Sequence, residues 1–309
     1  MLITIIKLIA GCTLLLLCGD WLVNGGTALA RRFRISPLVI GMTIVAFGTS
    51  APELLVSTIA ALKGSSGIAL GNVVGSNIAN IGLILGLTAL ILPIPANSRS
   101  LRVHGLVMTA AGILLALFAI SGSRISRIEG LLMVAALGLF LFLSIAKGRQ
   151  TDTETDSAEG KEMGAIAALA LIILSCAGLA LGADLLVDSA SDLARSAGVS
   201  ERVIGLTVVA LGTSLPELAA SVIAAIKKQM DISIGNVIGS NIFNILCVLG
   251  LSSAIQPIEF NLPDYYSNYA AMMLYFILLL GFIFMAKKIG RLSGGLLFII
   301  YIAFVALLF

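Results

Sequence analysis

The sequence predicts a polytopic, all-α membrane protein, and the first reason is its composition. Of the 309 residues, 59% are hydrophobic and 11% are charged, and the mean hydropathy is +1.10. A soluble domain this apolar would have too little polar surface to cover itself. The composition therefore places the chain in a lipid bilayer.

The second reason is the recurrence of apolar runs of about 20 residues, each long enough to cross a bilayer as a helix. They predict ten transmembrane helices, at roughly 3–29, 37–62, 68–92, 101–120, 126–146, 164–190, 202–226, 232–256, 267–287 and 291–309. Little of the chain is left over for a soluble domain.

The third reason is an internal repeat. Placing 36–81 on 200–245 without a gap gives 28 identities in 46 pairs. Each half then holds five predicted helices, and an odd number makes the second half enter the membrane from the opposite side. Such inverted repeats are typical of secondary transporters. We predict a first five-helix repeat over 1–146, a cytoplasmic acidic linker over 147–163 and a second five-helix repeat over 164–309.

The basic residues predict the orientation. Cytoplasmic loops carry an excess of Lys and Arg. With the ten spans above, one set of alternating loops holds 13 of the 19 basic residues: Arg31, Arg32, Arg34, Arg99, Arg102, Lys147, Arg149, Lys161, Lys227, Lys228, Lys287, Lys288 and Arg291. That side should be cytoplasmic, with both termini outside, in the plasma (inner) membrane. The net charge of +3 follows this topology, so it does not indicate a nucleic-acid partner.

A doubled acidic motif is the main functional signal. Gly48–Glu53 reads GTSAPE and Gly212–Glu217 reads GTSLPE, 164 residues apart. A carboxylate inside hydrocarbon costs about 2.5–3.5 kcal/mol on insertion scales and is by default a functional site. The chain has such a carboxylate at two matching positions, Glu53 and Glu217.

The residues around each glutamate point to a hard cation. Proline frees backbone carbonyls in a helix, and the motif adds Thr and Ser hydroxyls. Such oxygens are the ligands of calcium, and no His or Cys stands nearby to favour zinc, copper or iron. The two carboxylates match the charge of one divalent ion. In the alternative interpretation, Gly and Pro only kink the helices and each Glu makes a structural hydrogen bond.

A second doubled motif follows at the same offset in each half. Gly71–Asn80 and Gly235–Asn244 both read GNVxGSNxxN. Residues four apart share a helix face. The two glycines of each block therefore share one face, and so do its serine and its last asparagine. The glycines are expected to let helices pack closely. We expect the polar pairs to complete the coordination shell, with inter-helix hydrogen bonding as the rival role: Ser76, Asn80, Ser240 and Asn244.

The two motifs together resemble the alpha repeats of the cation/calcium exchanger superfamily, in its sodium/calcium exchanger branch, over the whole chain. The resemblance implies that sodium entry drives calcium extrusion through one central site by alternating access. It implies that Glu53 and Glu217 bind calcium with the carbonyls of Thr49 and Thr213. It further implies sodium ligands from Ser50, Ser214, Ser76, Ser240 and the carbonyls of Ala46 and Ala210. No cofactor and no obligate protein partner is implied.

One position departs from part of the family. Some prokaryotic and the potassium-dependent exchangers carry Asp where this chain has Asn244. The site would then keep two carboxylates, as in potassium-independent members. The proton/calcium exchangers typically carry GNxxE in place of GTSxPE and are less similar.

Other functions remain open at this point. A proton-driven divalent exchanger of the same fold could protonate its glutamates in turn. An intramembrane enzyme would be expected to use paired Asp in a GxGD-like segment, and a channel does not require two broken helices. The remaining acids of the first span in each half are expected near helix ends, either in interfacial hydrogen bonds or in a cation vestibule: Asp20, Asp184 and Asp188.

Overall fold

The computed structural model describes residues 2–122, 124–148, 163–198, 210–259 and 262–307, which are almost entirely helical. The α-helices are α1 Leu2–Phe33, α2 Pro37–Ile40, α3 Ala46–Thr49, α4 Ala51–Leu62, α5 Ser66–Ala79, α6 Gly86–Ile91, α7 Arg99–Gly122, α8 Arg127–Lys147, α9 Ala165–Ser196, α10 Ala210–Gly212, α11 Leu215–Ile226, α12 Met230–Phe243, α13 Gly250–Ile255, α14 Leu262–Gly281 and α15 Arg291–Ala306. Within the described ranges, four segments are π-helical: π1 Gly41–Val45, π2 Asn80–Leu85, π3 Asn244–Leu249 and π4 Phe282–Ala286. The short strands are β1 Ile94–Pro95, β2 Arg124–Ile125, β3 Ile258–Glu259 and β4 Lys288–Ile289.

The described residues contain fewer long apolar helices than the ten spans that the sequence predicts. Within the described ranges, seven helices are long and apolar enough to cross a membrane. The bent pair Pro37–Thr49 and Ala51–Leu62, with 47° between its two parts, makes an eighth if counted as one span. Helices α11 and α15 are apolar but shorter. The protein is therefore an all-helical membrane protein, and the count of ten is not confirmed.

Two predicted regions lie largely or partly outside the described residues. The acidic linker predicted at 147–163 is described only at its ends, and the predicted span 202–226 is described from Ala210 onward. The beginning of that span therefore stays a prediction.

The chain forms two compact units, and neither of them is a sequence half. Unit 1 comprises Met1–Thr49 with Leu139–Asn236, and unit 2 comprises Ser50–Gly138 with Val237–Phe309. Each unit combines elements from both repeats. The repeat boundaries 1–146, 147–163 and 164–309 thus remain a prediction from sequence similarity.

In unit 1 the two longest helices, α1 and α9, pack along each other. Glycine permits their close approach, because a Cβ atom on Gly11 would lie 2.8 Å from the carbonyl oxygen of Gly182. Their apolar faces form a core that also takes side chains from α11, with Leu22, Leu179 and Ala224 fully buried. This core positions the helix that carries Glu217.

In unit 2 two short antiparallel ladders extend the repeat beyond the aligned motifs. Ile94 of β1 pairs with Ile289 of β4, and Ile258 of β3 pairs with Ile125 of β2. With the repeat offset of 164 residues, Ile94 is equivalent to Ile258 and Ile125 is equivalent to Ile289. The two ladders are therefore equivalent: β1 of the first repeat pairs with β4 of the second, and β3 of the second repeat pairs with β2 of the first.

Candidate cation site

Both membrane glutamates lie in the first turn of a helix that follows a break. Glu53 is in the first turn of α4 and Glu217 in the first turn of α11. Pro52 and Pro216 occupy the start of these helices, where the missing amide N–H has no intrahelical partner to lose. The helix break predicted from proline is present, but it falls before the proline rather than around it.

The two breaks have the same backbone geometry. Ser50, which precedes α4, has φ −83° and ψ 5°, and Ser214, which precedes α11, has φ −87° and ψ 3°. These angles lie in the sparsely populated bridge region, where many active-site residues are found. The repeat therefore preserves local backbone shape as well as residue identity.

Both carboxylates are removed from solvent. Glu53 is 1% exposed and Glu217 is 0% exposed. The N-terminal end of a helix stabilises negative charge through its unpaired N–H groups and the helix dipole. Among the described residues, no three His, Cys, Asp or Glu side chains come together. A cation bound by either glutamate would therefore need neutral oxygens as well.

Unit 1 contains six of the twelve predicted site residues: Ala46, Thr49, Ala210, Thr213, Ser214 and Glu217. Helix α11 packs against α3, so the helix of Glu217 meets a segment of the first repeat. The Thr49 hydroxyl donates to Asn236 Oδ1 at 3.2 Å and lies 3.3 Å from the Ala46 carbonyl oxygen. That hydroxyl is thus oriented by protein groups.

Unit 2 contains the other six: Ser50, Glu53, Ser76, Asn80, Ser240 and Asn244. Helix α4 packs against both α5 and π3. The helix of Glu53 therefore contacts the first-repeat helix that carries Ser76 and the second-repeat segment that begins at Asn244. In each unit, a glutamate of one repeat lies on a helix that contacts the other repeat.

The last asparagine of each GSNxxN block begins a π-helical segment. Asn80 is the first residue of π2 and Asn244 is the first residue of π3. Short π segments inside α-helices are rare and occur often at functional sites. The sequence pattern did not predict them, because Asn-Ile-Gly-Leu and Asn-Ile-Leu-Cys are compatible with an ordinary α-helix.

The buried amides at these positions are not fully hydrogen-bonded. Within the described part of the chain, neither Oδ1 nor Nδ2 of Asn80 has a hydrogen-bond partner, and neither does Oδ1 of Asn244. Asn244 Nδ2 donates to Asn77 Oδ1 at 3.4 Å. An unsatisfied buried polar group costs about 1–3 kcal/mol. A purely inter-helix role would require Asn80 to be paired, so this geometry favours the ligand interpretation.

The first asparagine of each block has a role that sequence reasoning missed. Asn72 Nδ2 lies 2.9 Å from Ser57 Oγ and 3.4 Å from the Glu53 carbonyl oxygen. Asn236 Nδ2 makes the same two contacts in unit 1, at 3.0 Å to Ser221 Oγ and 3.5 Å to the Glu217 carbonyl oxygen. The available signal was the exact repetition of both the Asn and the Ser.

The other acids lie deeper in their helices than predicted. Asp20 was expected near a helix end, but α1 continues to Phe33, and α9 likewise continues to Ser196 beyond Asp184 and Asp188. The expectation of hydrogen bonding holds for Asp20, which accepts from Asn24 at 3.0 Å and pairs with Lys227 at 2.5 Å. Asp184 and Asp188 are exposed.

The fold and the doubled buried glutamates define an integral membrane transporter of the cation-exchanger type, and comparison with known proteins agrees. The family model described as sodium/calcium exchanger protein matches residues 3–146 and 167–309. The chain belongs to this family. It is a family of exchangers rather than enzymes, as the sequence indicated.

Two relatives and one solved structure that match over nearly the full length support this assignment. The putative antiporter CaxA of Alkalimonas amylolytica is 38% identical, with 100% of this chain and 99% of that protein covered. The sodium/calcium exchanger MaX1 of Methanosarcina acetivorans is 34% identical, with 98% and 97% covered. A solved structure of the sodium-calcium exchanger NCX_Mj soaked with 10 mM Na⁺ superposes with a TM-score of 0.87 at 35% identity, covering 99% of this chain and 98% of that one.

Proposed function

We propose that this protein exchanges sodium for calcium across the membrane by alternating access, and that sodium entry drives calcium extrusion. The observation that carries the proposal is the pair of fully buried glutamates at identical helix breaks, in a chain of the sodium/calcium exchanger family. The exchangers MaX1 and NCX_Mj, which match from end to end, support it. The protein then transports calcium and sodium and is embedded in the lipid bilayer.

In this proposal one cation site takes ligands from both repeats. Glu53 and Glu217 supply the charge for calcium, with the carbonyls of Thr49 and Thr213. The sodium ligands are Ser50, Ser214, Ser76, Ser240 and the carbonyls of Ala46 and Ala210, and Asn80 and Asn244 complete the shell. The orphaned amide atoms of Asn80 and Asn244 support the last assignment, because cation binding would satisfy the oxygens.

The proposed architecture is ten transmembrane helices as two inverted five-helix repeats. The shorter apolar helices α11 and α15 would complete the seventh and tenth spans. The exchanged ladders of unit 2 support the inverted repeat. The excess of Lys and Arg in one set of loops supports the proposal that both termini lie outside and that the protein resides in the plasma (inner) membrane of the cell.

Flux through the purified protein tests this function. Proteoliposomes loaded with sodium and diluted into sodium-free medium with radioactive calcium should accumulate calcium, and collapse of the sodium gradient should stop the uptake. Calcium uptake driven by a pH gradient without sodium would instead show the proton-driven exchanger. Empty liposomes and the Glu53→Gln variant serve as controls. Absence of sodium-driven calcium flux in the wild type would refute the proposal.

A further inference from the structure

Each repeat contains a polar stripe whose first member differs in role from the other two. Asn72, Ser76 and Asn80 follow one another at four-residue intervals, so they lie along one face of a helix. The second repeat has Asn236, Ser240 and Asn244 at the same spacing. The last two residues of each stripe are proposed cation ligands, whereas the first contacts the neighbouring helix that carries the glutamate.

The contact is made to the turn that carries the carboxylate. Asn72 on α5 donates to the Glu53 carbonyl oxygen and to Ser57 Oγ, which both belong to α4. Asn236 on α12 makes the same pair of contacts to α11 in unit 1. The carbonyl distances are 3.4 and 3.5 Å and the hydroxyl distances are 2.9 and 3.0 Å. The same geometry thus occurs twice in one chain.

The first turn of α4 and of α11 needs such support. The first N–H groups of a helix have no intrahelical acceptor, and here the preceding residue has already left the helix. The height and direction of a carboxylate on that turn depend on where the turn lies relative to the neighbouring helix. A hydrogen bond to the glutamate's own carbonyl fixes the turn at the residue that matters.

We propose that Asn72 and Asn236 are positioning residues that set the register between the glutamate-bearing helix and the helix that carries the Ser and Asn ligands. Each asparagine fixes the height of the glutamate-bearing turn on the neighbouring helix, and thereby the position of the carboxylate. This inference rests on the proposed function. The rival explanation is that the two asparagines only strengthen helix packing.

The test separates affinity from turnover. Asn72→Ala and Asn236→Ala should raise the KM for calcium in sodium-driven uptake about 10–100-fold, as is typical when the partner of a metal ligand is removed. The maximal rate at saturating calcium should change much less, because the ligands themselves remain. Calorimetric titration of the detergent-purified variants with calcium should show the same loss of affinity.

Ser233→Ala is the matched control. The Ser233 hydroxyl donates to the Ser221 carbonyl oxygen at 2.9 Å, so it joins α12 to α11 as Asn236 does, but away from the glutamate turn. The first repeat has Ala69 at the equivalent position, so alanine is compatible with the fold there. This variant should keep the wild-type KM.

The possible outcomes are distinct. A wild-type KM in both folded Asn variants, or an equal rise in KM in Ser233→Ala, would overturn the positioning role. If the Asn variants do not fold, Ser57→Ala and Ser221→Ala each remove one of the two contacts and should raise KM severalfold. A wild-type KM in these two would also overturn it. Glu53→Gln in the same assay separates the two ideas, because wild-type calcium binding by that variant would refute the proposed site itself.

Discussion

Helices α4 and α11 begin at matching breaks but end in different surroundings. At their starts, Glu53 and Glu217 share burial, backbone geometry and an asparagine contact. At the end of α11, Lys227 pairs with Asp20 at 2.5 Å and donates to Asn24 at 2.7 Å. The equivalent Lys63 is exposed and forms no ion pair with any described residue.

The turns that follow also differ in residue type. Gly64 has φ +71° and the equivalent Lys228 has φ +61°. Both residues have the left-handed backbone conformation, which glycine adopts without a steric cost and other residues do not. The repeats have therefore kept the ends of the helices that face the cation residues and have diverged at the opposite ends.

The largest effect is expected at the matching ends. Glu53→Gln and Glu217→Gln should each abolish sodium-driven calcium uptake, because one buried charge is lost while a polar group of the same size remains. Uptake by proteoliposomes measures this, with the exposed Glu259 as control in Glu259→Gln. Wild-type transport by either variant would show that the two glutamates are not equivalent in function.

The next prediction compares the two asparagines that begin π segments. Asn80→Asp and Asn244→Asp each add a carboxylate, so calcium affinity should change by about tenfold and become dependent on pH. The change should fade as the pH is lowered, because protonation of the new carboxyl removes its charge. Competition between calcium and sodium, measured over a pH range, tests this. Unchanged selectivity and pH dependence would place that residue outside the coordination shell.

The same pair should differ in stability. Asn244 Nδ2 donates to Asn77 Oδ1, whereas the side-chain amide of Asn80 has no hydrogen-bond partner among the described residues. Asn244→Asp replaces that donor by an acceptor, so it should lower the free energy of unfolding by about 1 kcal/mol. Asn80→Asp removes no such hydrogen bond, so it should lower the free energy of unfolding by a smaller amount. Chemical unfolding in detergent measures both, and equal losses would contradict the assigned contact.

Exchanging the turn residues should have an effect of similar or smaller size. Lys228→Gly should stabilise the protein by about 1 kcal/mol, since the left-handed backbone costs a side chain about that much. Gly64→Lys should destabilise it by a similar amount, although the added Cβ would have no atom within 4 Å apart from those of its chain neighbours. A shift in thermal midpoint of the same sign for both variants would contradict this explanation.

The smallest effect is expected at the ion pair. The side chains of Lys227 and Asp20 are 28% and 41% exposed, so their pairing is screened and contributes at most about 1 kcal/mol. Lys227→Met should lower the thermal midpoint slightly, more so at low salt, and Lys63→Met should not. Equal effects from the two variants would show that the pair contributes nothing specific.

The sequence predicted an all-helical membrane protein and the two buried glutamates, because these depend on local composition and exact repetition, whereas the count of ten helices is not confirmed. It could not predict the π segments, since their i→i+5 hydrogen bonding depends on packing around Asn80 and Asn244 rather than on helix propensity. It misplaced Asp20 because a hydropathy window ends at the bilayer thickness, whereas α1 continues as a helix to Phe33. The contacts of Asn72 and Asn236 depend on how two helices face each other, which spacing alone does not give.

The central claim is one calcium site built from both repeats, and the number of calcium ions bound per chain tests it most directly. Calorimetric titration of the purified protein in sodium-free detergent solution should give one bound calcium in the wild type. It should give none in either Glu53→Gln or Glu217→Gln. Two bound ions in the wild type, with one lost in each variant, would show separate sites in the two repeats and contradict the claim.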